Sequence, residues 1–193
     1  MPSWALHERW ARRLGVDPVV ARFVNRLIDR NGGLHDFVEC ELARLRLSEL
    51  EWRAVLLHGL MDSLRYLLVE LGSAVAGAVR PEDILEVARD VRLRRNLDRV
   101  SREGALRYSE CVNRLGRELG ELVEELRPLA GELVRDIAEE ARREGAMRDV
   151  GCLRVRKEYL KQLVEKNPGL LEAPALQKDP YALSKLQEAL KDP

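Results

Sequence analysis

Apolar residues recur at three- and four-residue intervals along nearly the whole chain, and no stretch alternates cleanly between apolar and polar positions as a half-buried strand would. The pattern predicts an all-α protein, a multi-helix bundle. Its most regular part is the series Val112, Leu115, Leu119, Leu122, Leu126, Leu129 and Leu133. This seam suits a long, coiled-coil-like helical hairpin, and Pro128 predicts a kink or break within it. Gly116 and Gly120 in the same region would let a neighbouring helix approach closely.

Punctuation residues place the other helices. Ser3 caps a first helix that stops at Gly15, and Asp17-Pro18 opens a second that runs to Gly32-Gly33. A third spans Val38 to Leu45. Ser48 and Glu51 form a capping box for a long helix to about Leu71, whose apolar residues cover more than one face. The Gly72 to Gly77 run interrupts the chain before Pro81 starts another helix, Asn167-Pro168-Gly169 is a stop, and Asp179-Pro180 opens a last helix through Leu190.

One compositional boundary stands out: all 27 arginines lie at or before residue 156, and all 6 lysines lie after it. The split predicts a helical bundle domain over residues 1–150 and a helical C-terminal extension over 151–193. A terminal helix of this length is marginal alone. The extension is therefore expected to dock, on the bundle or on a partner subunit, through Leu160, Leu163, Val164, Tyr181, Leu183, Leu186 and Leu190.

With 33 acidic and 33 basic residues in 193, the chain has no global bias toward nucleic acid or membrane, and its Glu and Arg richness resembles that of heat-adapted proteins. No apolar stretch approaches a bilayer span. Cys40, Cys111 and Cys152 are odd in number and widely spaced, so neither a disulfide framework nor a zinc ribbon is signalled, and a cytoplasmic location is expected.

All three histidines lie in the first third, and two have a nearby aspartate: His35 is followed by Asp36, and His58 by Asp62 four residues on, on one helix face. Imidazoles and carboxylates from several helices can hold a divalent ion such as Zn, Mn or Fe, and His7, His35, Asp36, His58 and Asp62 are the candidate ligands. The order histidine, His-Asp doublet, then histidine and aspartate resembles the HD-domain metal-dependent phosphohydrolases over residues 7–62. The apolar run Ala54 to Leu57 before His58 is also similar to the helix end that carries the doublet in that family, with Gly59 in place of its aspartate. The resemblance implies a metal-activated water attacking phosphorus.

Arg89, Arg92, Arg94, Arg95, Arg99, Arg102 and Arg107 form a locally basic segment, followed by an acidic region from Glu118 to Glu144. Exposed, these arginines would track a nucleic-acid backbone; otherwise they pair with the acidic region across a hairpin. The sequence thus favours a non-enzymatic helical protein that binds or assembles, with itself or another protein as partner. The alternatives are an HD-like phosphohydrolase and a nucleic-acid-binding or packaging protein.

Overall fold

A computed structural model describes residues 2–29, 39–103, 109–143 and 156–191. Among these, all regular secondary structure is helical. The helices are α1 (Trp4–Arg13), α2 (Pro18–Asp29), α3 (Glu39–Leu42), α4 (Glu49–Leu71), α5 (Ser73–Ala76), α6 (Pro81–Glu103), α7 (Ser109–Leu126), α8 (Ala130–Arg143), α9 (Lys157–Lys166), α10 (Pro174–Gln177) and α11 (Pro180–Leu190). None is long and apolar enough to cross a membrane. The chain groups into two compact units, one of residues 2–62 and 89–126, the other of 63–88 and 127–193.

In the first unit, α1 and α2 form an antiparallel pair built from the expected signals. Ser3 Oγ accepts the Leu6 amide, Gly15 turns the chain at φ +74°, and Asp17 Oδ1 accepts the Val19 amide at 2.7 Å. Leu6, His7, Trp10 and Ala11 face inward on α1, as do Ala21, Val24, Asn25 and Ile28 on α2. The capping box opens α4 as expected: Ser48 Oγ accepts the Glu51 amide, and Glu51 accepts the Ser48 amide at 2.7 Å. At Gly116 a Cβ would stand 3.7 Å from Leu93, an ordinary contact, and at Gly120 it would meet nothing within 4 Å, so neither glycine is required for helix packing.

One expectation changes here. Cys40 of α3 and Cys111 of α7 form a disulfide with Cα atoms 5.8 Å apart, although 71 residues separate them. Sequence spacing carries no trace of it because the fold alone brings α3 to α7. The acidic face of α7 meets α4, where Trp52 Nε1 donates to Glu118 and Arg53 pairs with Glu125.

In the second unit the Pro128 break appears as a 3-10 turn, Arg127–Leu129, before α8. Leu129 is only half-buried, whereas Leu133, Val134 and Ile137 are buried. The boundary near residue 150 lies outside the described residues. Beyond it, α9 and α11 pack on each other, and the extension is tied to its own chain. Lys166 Nζ pairs with Glu86 at 2.6 Å, Lys185 with Glu70 at 3.6 Å, and Asn167 Oδ1 accepts the Arg80 amide at 3.1 Å. Leu160, Leu163 and Leu186 are buried, and Val164 and Leu183 are half-buried. Tyr181 and Leu190 are 37% and 39% exposed, beside the buried Ala182 and Ala189.

Candidate metal centre

Histidines from two helices meet in the first unit. His7 of α1 and His58 of α4 stack with ring centroids 4.0 Å apart and planes 5° from parallel, and they are only 3% and 1% exposed. One turn after His58, Asp62 presents its carboxylate to both rings: Oδ2 is 3.4 Å from His58 Nε2, and Oδ1 is 3.8 Å from His7 Nε2. One ligand atom from each of these three side chains can be chosen with all three within 4.8 Å of one another.

The surroundings orient this set. His58 Nδ1 lies 2.9 Å from Asn25 Oδ1, which turns Nε2 of the ring toward the carboxylates. Asp29 of α2 brings Oδ1 to 3.7 Å from the same Nε2, while its Oδ2 accepts a hydrogen bond from Trp4 Nε1. Burial, and then the neighbouring His58, push the His7 pKa down to about 3, so the ring is neutral and able to act as a ligand. Burial also disfavours the Asp62 anion. The opposing influence of His58, His7 and Arg92 outweighs it and holds the carboxyl below its usual range.

The residues fit a divalent ion. Neither ring nitrogen of His7, nor Asp62 Oδ1, nor Asp29 Oδ1 meets a hydrogen-bond partner among the described residues. A buried polar atom left so costs roughly 1–3 kcal/mol, and a cation among them would satisfy several at once. Two imidazoles and a carboxylate suit Zn, Mn or Fe.

Of the expected ligands, His7, His58 and Asp62 come together, whereas His35 and Asp36 lie outside the described residues. Gly59, which follows His58, has a spatial reason. A Cβ there would overlap Glu39 Oε1 and Arg92 Nε, a pair 0% and 1% exposed that Asn96 Nδ2 braces at 2.6 Å from Glu39 Oε2. No aspartate could follow His58 in this packing.

Arg92 is thus a correction to the basic segment, because it is buried against Glu39 and presents no charge to a polyanion. Arg89, Arg94 and Arg99 pair with Asp90, Asp98 and Glu41, all outside the acidic stretch that begins at Glu118. Arg95 is half-buried, and nothing is described of the Arg102 side chain or of Arg107.

Asn25, Asp29 and Trp4 are the residues sequence reasoning missed. Asn25 had a signal, a polar side chain inside the apolar stripe Ala21, Val24 and Ile28. Trp4 and Asp29 had none, being 25 residues apart on different helices. Compared with known proteins, the chain matches no family model, no curated protein and no solved structure.

Proposed function

We propose that the protein is a metal-dependent hydrolase of the HD-like kind, with His7, His58 and Asp62 holding a divalent transition ion. One observation carries this reading: a neutral buried histidine with no hydrogen-bond partner stacks on a second histidine, and both face a buried carboxylate. When bound, such an ion supplies Lewis acidity and lowers the pKa of a water. The Asp62 carboxylate stands 3.4 Å from Nε2 of His58 and 3.8 Å from Nε2 of His7, and Asn25 orients the His58 ring. Phosphate esters are the substrate class, on the strength of the HD-like order of residues alone.

Metal analysis of untagged protein tests the centre, followed by phosphomonoester and phosphodiester hydrolysis with Mn2+, Fe2+ and Zn2+. Stoichiometric metal that is lost in H58A and D62A supports the reading. A parent protein that takes up none of these ions ends it.

A second reading, assembly through helix packing, draws on α2, where Val19 and Phe23 are 74% and 47% exposed and one turn apart. Light scattering of the parent and of a V19S/F23S variant tests it. Self-association that the variant loses would support it, and a monomeric parent would remove self-association from consideration.

A further inference from the structure

We infer that Asp29 is a fourth ligand of this centre and that Trp4 is the positioning residue that aims it. The inference rests on the metal reading above and adds a residue from α2, so that α1, α2 and α4 all contribute.

Two observations lead to Asp29. Its two oxygens are differentiated: Oδ2 takes the Trp4 indole N–H, and Oδ1 is buried without a hydrogen-bond partner, 3.7 Å from His58 Nε2. Its neighbour is a second carboxylate, for both Asp29 and Asp62 stand within 3.7 Å of the same imidazole nitrogen. Two carboxylates brought so close in a buried site repel each other unless a cation lies between them. A divalent cation cancels that charge and occupies Oδ1.

The ligand count also bears on the ion. Four protein ligands close a tetrahedral ion, and they leave room for water only on a five- or six-coordinate one. Two imidazoles disfavour Mg2+, which prefers oxygen donors and gives up its waters reluctantly. Mn2+ and Fe2+ therefore retain an open position here, whereas Zn2+ binds with none.

Cobalt(II) is the probe, because its visible d–d bands report coordination number independently of activity. Titration of apo-protein is compared among the parent, H58A, D29N and W4F, with L6A as a packing control on α1. D29N should weaken Co2+ binding by more than about 100-fold, beyond the 10- to 100-fold typical of outer residues, and change the band pattern. W4F, which keeps the carboxylate and so guards against a folding failure in D29N, should weaken binding about 10-fold and shift the bands. L6A should lower the melting temperature without altering the spectrum. Binding that H58A abolishes, but that D29N and W4F leave unchanged in affinity and spectrum, overturns the role of Asp29 and leaves the three-residue centre standing. A parent that binds no Co2+ overturns both.

Discussion

Gly59 and Arg92 show how one backbone position can decide what a neighbouring site contains. The absent side chain at Gly59 is the space in which the Glu39 carboxylate and the Arg92 guanidinium meet. Placing even a methyl group there should destabilise the protein by about 1–3 kcal/mol, because both ends of a buried ion pair must move. R92A should be worse, at about 3–5 kcal/mol, since it strands Glu39 without a counterion. Replacing both partners by Leu and Met should recover most of that loss. Guanidinium chloride unfolding checks all three, and an R92A loss below about 1 kcal/mol would contradict the burial of the pair.

Among the elements, α3 is held covalently as well as by the burial of Leu42. It is joined to α7 by Cys40–Cys111 and to α6 by the Cys40 amide on Asn96 Oδ1 at 3.1 Å. A link closing a loop of 71 residues contributes about 4 kcal/mol in the chain-entropy picture, so C40S/C111S should be less stable by an amount of that order. Alkylation in denaturant checks the link itself: Cys152 alone should react before reduction, and all three cysteines after it.

Glu86 of α6 plays a similar part in the second unit, meeting Lys166 of α9 at 2.6 Å and Arg127 at 3.1 Å. The Lys166 hydrogen bond is the largest influence holding the Glu86 carboxyl below its usual range. A carboxylate depressed on folding stabilises fully above its unfolded pKa, near 4.3, and ceases to as pH falls through the lower folded value. E86Q should therefore lower stability by up to about 1 kcal/mol at pH 7 and converge on the parent in acid. A deficit that persists at low pH in urea melts would point to packing instead.

For the whole molecule, the C-terminal extension is part of a folded unit. Leu170, Leu176, Ala182, Leu186 and Ala189 are buried, and each large apolar side chain so placed contributes roughly 1.5–3 kcal/mol. Truncation after Lys166 should lower the melting temperature by several degrees and leave the native mass unchanged apart from the residues removed. Dissociation of an oligomer on truncation would instead place the tail on a partner subunit. Helix class, the caps at Ser3, Asp17 and Ser48, the Pro128 break and the Asn167-Pro168-Gly169 stop were all determined by the sequence itself, because propensity, capping and backbone stereochemistry act over a few residues. The pairing of His58 with Asp62 belongs with them, being one helical turn. That His7 stacks on His58, that Trp4 reaches Asp29, that Cys40 meets Cys111 and that Arg92 is buried against Glu39 were decided only by tertiary structure. Such contacts join residues 25 to 71 apart. They depend on which helix faces pack together, a choice made by the burial of the whole core rather than by any local pattern.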